Sequence, residues 1–473
     1  VINWFINIAL ICSVVAQPDT LWTKIYEGRE GRDGCRRMIA TFDGGYMLGC
    51  YQTNSDERNA EDMFLIKTDS NGVQEWSRAY RWRLHDIFYS VAQSTDSCYV
   101  MVGEVTGGDF SGGVIAKVDS AGNLIWTQYY GGMLSDVVVC SDGSIAACGG
   151  APLATIGYLV KTDCNGNRIW DETYGGGADW FLSMKPTRDG GFILVGETLS
   201  YGNGDQGYIV KVDSVGQEEW HRAIGGPLGD YFRSVFELES GEIFASGGTT
   251  GSDGGRDFWV VKLDSNGDTL WTRAYPHDVD DIFGDLIALP DGGMLLAGER
   301  YPDLELRDSY AAYRLDSEGN VLWELYFGRV YDGNFTSALF LDDGSYLLAG
   351  ECNPRLPSRF IEPWLVRTRP DTFNINKVVL LDPAFPSQLV FAAPYPNPFN
   401  SAVRICYSLP KPSDVRLTIF DPSGRFIDRL VSGHQAAGEH RLFWSRAGTS
   451  SGQYILHLDA NGQSQTRRLM LVK

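Results

Sequence analysis

Positive charge is scarce in this sequence. Of its 473 residues, 40 are Lys or Arg against 60 Asp or Glu, a formal net charge of −20. So acidic a surface repels phosphate backbones, which sets nucleic-acid binding aside. Long apolar runs are missing as well: beyond the start of the chain no stretch reaches the roughly 18 residues of a membrane-spanning helix. Cysteine is sparse, with nine residues, none at CxxC or Cys/His metal-binding spacing. Sustained helical periodicity with caps is absent over the first 370 residues. The six histidines are scattered, and GxSxG, HExxH and phosphate-loop motifs do not occur. Turns such as 264–268, DSNGD, lack the alternating ligands and final Glu of a calcium loop. No cofactor and no metal site is predicted.

What the chain does have is repetition. Glycine is high at 55 and tryptophan at 13. Trp recurs at 22, 76, 126, 170, 220, 271 and 323, and six of these follow one hairpin signal. Asp69, Gly72 and Trp76 set the pattern, and the same three-residue and seven-residue spacings recur at Asp119, Asp163, Asp213, Asp264 and Asp316. Asp caps such a turn and Gly takes its left-handed position. A second turn lies in each unit, DGG or DGS in five and DSC or ESGE in the other two, and short apolar or alternating runs flank both. Four short strands per unit of about 50 residues, repeated seven times, predict an all-β chain with a seven-bladed β-propeller at 17–369. The strand around Trp22 has no unit before it, and the last unit has no Trp strand after it. Pairing the two would close the ring and leave no open sheet edge. An open stack of sheets is the alternative.

An acidic residue follows each Trp by nine to eleven positions: Asp33, Asp86, Asp136, Asp179, Asp230, Asp281 and Asp332. In the repeat register this places a ring of carboxylates where the innermost strands begin, at one mouth of the channel. It could hold a cation or polyol, or each Asp could cap backbone N–H groups as its strand starts. Occurrence in every unit favours the capping reading. Departures from the repeat are candidates for ligand contact: His85 in RWRLHD, Trp180 and Phe181 in GGGADWF, where both are expected to be exposed, and His277 in PHDVDD.

The ends of the chain differ from the repeat. Residues 1–16 are uncharged and largely apolar and finish on Val14 and Ala16, which reads as a secretory signal peptide. Residues 370–394 contain four prolines and read as a linker. Residues 395–473 carry ten Lys+Arg and five Asp+Glu, a net of +5, so the rest of the chain carries −25. Six or seven short strands over about 80 residues fit an Ig-like sandwich.

The repeats resemble the glycine-rich propeller repeats of bacterial and archaeal surface proteins. The Asp–Gly–Trp turn is also similar to the tryptophan-docking motif of pyrroloquinoline quinone dehydrogenases, but is one residue shorter and lacks its Thr. The tail resembles the C-terminal sorting domain of the type IX secretion system. Its matching pieces are YPNPFN (Tyr395, Pro396, Asn397, Pro398, Phe399 and Asn400), IFDPSGR at 419–425, AGEH before Trp444, SGQYILHL at 451–458 and the closing RRLMLVK. That resemblance implies an Ig-like fold, export through the type IX machinery as partner, and a secreted or outer-membrane-surface protein. For the propeller the sequence leaves two readings: a module that binds a glycan or surface protein, or an extracellular polysaccharide lyase or hydrolase with its site at the channel mouth.

Overall fold

The computed structural model describes residues 20–26, 32–54, 60–83, 85–107, 110–151, 156–251, 254–276, 280–300, 309–327, 334–353, 361–371, 389–391, 394, 397, 399, 403–409, 411, 413–435, 438–444 and 451–472. The candidate signal peptide and most of the candidate linker lie outside them. Among the described residues every regular element is a strand, and no helix is long and apolar enough to cross a membrane. The chain divides into two compact units, residues 1–376 and 377–473.

The first unit holds seven four-stranded antiparallel sheets. Six are consecutive meanders: blades 1 (33–80), 2 (85–130), 3 (133–174), 4 (179–224), 5 (230–275) and 6 (282–327). The seventh combines Phe335–Phe340, Tyr346–Cys352 and Glu362–Thr368 with Thr20–Ile25 from the start of the sequence. Thr23 faces Val366 in that pairing, and Trp364 Nε1 donates to Thr23 Oγ1. The first strands of the blades adjoin one another in a closed circle, blade 7 meeting blade 1. The fold is therefore a seven-bladed propeller around a central channel.

Alternation along each strand sends apolar side chains to both sheet faces, where they fill the seams between blades. One such seam joins Met47, Met63 and Leu65 of blade 1 to Phe88, Tyr99 and Met101 of blade 2. The Asp–Gly–Trp signal works within and between blades. Asp69 Oδ1 accepts from the Asn71 and Val73 amides, 2.8 Å each, which closes the turn. The Trp of one blade's outermost strand then covers the turn of the next. Trp76 Nε1 donates to Ser120 O at 3.1 Å, and Tyr80 Oη donates to Gly122 O at 2.7 Å. The same tyrosine bond recurs from Tyr26 to Gly72, Tyr174 to Gly216 and Tyr275 to Gly319.

The second unit is a sandwich of two antiparallel sheets. One contains Val390–Phe391, Val403–Leu409 and Gly438–Trp444; the other orders Phe426–Gln435, Ser413–Phe420, Gly452–Ala460 and Gln463–Leu471. A single core joins them, with Ile405, Tyr407 and Trp444 from one and Leu417, Ile419 and Leu456 from the other. Two residues of the YPNPFN motif are described. Asn397 accepts from the Met470 amide at 2.7 Å and donates to Arg468 O at 2.8 Å. Phe399 is buried against Trp444, and its backbone pairs with Met470 and Val472. Asn397 and Phe399 thus clamp the edge of the closing strand.

Candidate functional site at the central channel

Each blade's innermost strand is built on one five-residue phrase, as in Asp86-Ile-Phe-Tyr-Ser90, Asp179-Trp-Phe-Leu-Ser183 and Asp230-Tyr-Phe-Arg-Ser234. The Asp opening the phrase is buried. Asp33 accepts from the Thr53 amide at 3.0 Å. Asp86 accepts from the Trp82 and Arg83 amides, the latter at 3.0 Å, while burial pushes its carboxyl upward. Asp179 accepts from the Gly176 and Gly177 amides and from the Ser200 and Thr198 hydroxyls. Asp230 accepts from the Gly226 and Thr250 amides. These carboxylates hold loops in place rather than presenting oxygens to the channel. Asp281 differs: Arg300 Nε stands 3.4 Å from its Oδ1, and burial outweighs Arg300 and the Phe258 backbone and raises its carboxyl to about 7.

Asp136 was expected in this ring, and the structure places it elsewhere. The ring position in blade 3 is Gly132; Asp136 lies four residues further along, at the position of Ser90 and Ser183 in the neighbouring blades. The short third unit, with its shifted acidic residue, hid the difference. Asp332 and His277 lie outside the described residues. His85 opens the innermost strand of blade 2 opposite Thr106 and is half-buried. Trp180 is half-buried against Gly150 of blade 3. Phe181, expected to be exposed beside it, is fully buried and stacks on Tyr208 at 5.8 Å, because alternation turns it into the seam.

The channel side chains come from a feature that sequence reasoning missed. Every innermost strand carries a β-bulge at the same place, where the register slips past one residue: Arg36, Tyr89, Ser135, Leu182, Arg233, Gly284 and Thr336. A bulge re-aims one side chain without disturbing the alternation on either side. The preceding residue, Phe in five of seven blades, stays in the seam, and all seven bulged residues line one cavity of about 350 Å³. The signal was available: at position four of the phrase only Arg recurs, while the positions on either side are mostly Phe and Ser or Asp.

The residues after the bulges make a second ring: Arg37, Ser90, Asp136, Ser183, Ser234, Asp285 and Ser337. Its two Asp residues each join three blades. Asp136 accepts from Ser90 Oγ at 2.7 Å in blade 2, and from Ser183 Oγ at 2.9 Å and the Met184 amide at 3.0 Å in blade 4. Asp285 accepts from Ser234 Oγ at 3.1 Å in blade 5 and from the Ala338 amide at 3.1 Å in blade 7. Burial pushes the Asp136 carboxyl up, but Lys185, Arg37 and these hydrogen bonds outweigh it and hold the group below the usual carboxylate range. Arg37 is pushed up, its burial outweighed by Asp136 and Asp285.

At the mouth, Arg36 lies between two aromatic rings, 4.9 Å from the centroid of Tyr51 and 5.3 Å from that of Tyr89, and donates to Phe88 O. Tyr51 Oη donates to Glu351 at 2.8 Å across the boundary between blades 1 and 7. A second cavity of about 490 Å³ shares Leu182 and Arg233 with the first and is lined further by Glu197, Tyr231, Arg256, Asp280 and Asp281. Among the described residues no group of three His, Cys, Asp or Glu stands close enough to hold a metal ion.

Residues 393–473 match the family described as the secretion system C-terminal sorting domain. The chain thus carries a type IX sorting domain, and it is a secreted or cell-surface protein. No curated protein matches it. Among solved structures, it is similar to a protein of unknown function from Bacteroides caccae (12% identity, 59% of this chain and 93% of that one, TM-score 0.40). It is also similar to PorZ, described as an essential bacterial surface component of the type IX secretion system of Porphyromonas gingivalis (12% identity, 95% of this chain and 60% of that one, TM-score 0.44). A third is the Pan2 WD40 domain of Neurospora crassa (10% identity, 74% of this chain and 95% of that one, TM-score 0.47).

Proposed function

We propose that the propeller is an extracellular binding module for a glycan or surface protein, that its site is the channel mouth, and that the type IX machinery exports it. In this reading residues 1–16 act as a signal peptide and the C-terminal sandwich is Ig-like. The observation that carries the proposal is the bulge ring. Seven equivalent backbone positions deliver Arg, Tyr, Ser, Leu, Arg, Gly and Thr into one cavity. A scaffold needs no such variety at one symmetric position, whereas an asymmetric ligand does. His85 and Trp180 would belong to the rim of that surface.

A polysaccharide-acting enzyme is the second reading, favoured by one observation. Burial raises the Glu197 carboxyl, and the Asp281 carboxyl reaches about 7, in one cavity. Both oxygens of Asp281 are closed off from solvent, however, so a substrate would have to open the site to reach them. A glycan array combined with a polysaccharide-degradation screen on the secreted full-length protein separates the two. Retention without product, weakened by Tyr89→Ala or Leu182→Arg, supports binding; released oligosaccharide overturns it. Deleting 395–473 should leave the protein in the periplasm, and normal export of the truncated chain would refute the route.

A further inference from the structure

The propeller is acidic outside, yet cations gather inside its channel. Arg36, Arg37 and Arg233 line the cavity, and Lys185 stands two residues beyond Ser183 on the innermost strand of blade 4. The carboxylates that line this cavity are already engaged, and Glu61 pairs with Arg36 at 3.7 Å. Asp136 and Asp285 each accept from hydroxyls and backbone amides of their own and adjacent blades. Glu351 is held by Tyr51, and burial raises its carboxyl. Arg37, Lys185 and Arg233 have no ion-pair partner within 4.0 Å among the described residues. Burial and the neighbouring Arg37 lower Lys185. Arg233 is lowered by burial and by Arg36 and Arg37. These groups repel one another, and their shared space favours an incoming negative charge.

Geometry adds to charge. The Arg233 side chain is exposed, and among the described residues no hydrogen bond or ion pair ties it to the wall. Tyr89 and Tyr51 flank Arg36 with ring faces. The cavity, about 350 Å³, lies in the roughly 300–1,000 Å³ range of small-ligand pockets. Resting on the binding-module reading, we propose that the channel takes an acidic saccharide: its carboxylate or sulfate enters between Arg233 and the Arg36–Arg37 pair, and its ring lies near Tyr89. Guanidinium groups suit this role because they fork onto planar oxyanions and stack on aromatic faces.

The test uses the full-length protein with trigalacturonate, its fully methyl-esterified form and dextran sulfate, read by calorimetry. Trigalacturonate or dextran sulfate should bind, with affinity falling as salt rises, and the neutral ester should bind at least about tenfold more weakly. Arg233→Gln should weaken the anionic probe by about tenfold with an unchanged circular dichroism spectrum, and Arg233→Lys should recover part of the loss. The two anionic probes distinguish carboxylate from sulfate recognition. Failure of both to bind overturns the proposal. Equal binding of the neutral ester also overturns it, while leaving the binding-module reading standing if Tyr89→Ala still abolishes that binding. Binding of any probe that is insensitive to Arg233→Gln, Tyr89→Ala and Leu182→Arg alike overturns both.

Discussion

Trp76 of blade 1 lies against Gly122 of blade 2, so closely that the point a Cβ would occupy on Gly122 is 2.8 Å from Trp76 Cζ3. The glycine also has φ of +78°. The Asp–Gly–Trp spacing therefore has two tasks, since the Gly that makes its own turn is also the seat for the preceding blade's Trp.

Gly122→Ala tests this directly. Backbone strain and the collision with Trp76 together should cost roughly 2–4 kcal/mol. Gly143→Ala is the comparison: its φ is +84°, but nothing lies within 4 Å of the new methyl, so only strain of about 1 kcal/mol is expected. Urea unfolding of both variants checks the difference. Equal costs would show that the Trp contact is not a close one.

Removing the Asp136 carboxylate strands donors from both neighbouring blades. Asp136→Ala leaves the Ser90 and Ser183 hydroxyls and the Met184 amide without their acceptor, and a loss of about 3–5 kcal/mol is expected. The wild-type carboxyl is held below its usual range. Its contribution is therefore complete above the unfolded value near 3.8 and disappears as pH falls through the lower folded value. Asp136→Asn should make acid unfolding shallower in that window. An unchanged acid profile would count against this role for Asp136.

Asp281 has the opposite sign. Its carboxyl is raised to about 7 from 3.8, so the folded state keeps a proton that the unfolded chain has lost. Stability should fall as pH rises from about 4 to about 7 and then level off. Asp281→Asn removes that dependence, and its advantage over wild type should grow across the window to roughly 2–4 kcal/mol. Thermal denaturation from pH 4 to 8 reads this out; parallel curves for the two proteins would refute it.

In the sandwich, Asn397 ties its own segment to the closing strand through two hydrogen bonds. Asn397→Ala should loosen the strand Gln463–Leu471 and speed proteolysis there, with the propeller's cleavage rate unchanged. Limited proteolysis followed by mass spectrometry measures both.

The blades were legible because their determinants are local: Asp caps, Gly turns and alternating strands repeat within a few residues of one another. The channel was less so. Asp136 and Asp285 occupy the same place in blades 3 and 6, yet counting from Trp puts Asp136 with Asp281 instead, because the third unit has a shorter approach to its strand. A bulge breaks the period-two rule by one residue, so Arg233 reads as an ordinary alternating position until the register slip beside it is seen. The carboxylates that raise Arg37, Asp136 and Asp285, are remote from it in sequence, and no spacing rule brings Asp285 near it.

The strand Thr20–Ile25 finds its partner Glu362–Thr368 some 342 residues later, as the contact from Thr23 to Leu365 records. Joining segments that far apart costs roughly 5 kcal/mol of chain entropy before any contact returns it. Blades 1 to 6 can assemble in order as neighbours meet, but the last sheet waits for both ends of the propeller sequence. Ring completion is therefore a late folding event with high contact order. Until it occurs, blade 7 has an open edge, and a nascent molecule stays loosely assembled for as long as translocation keeps those two segments apart.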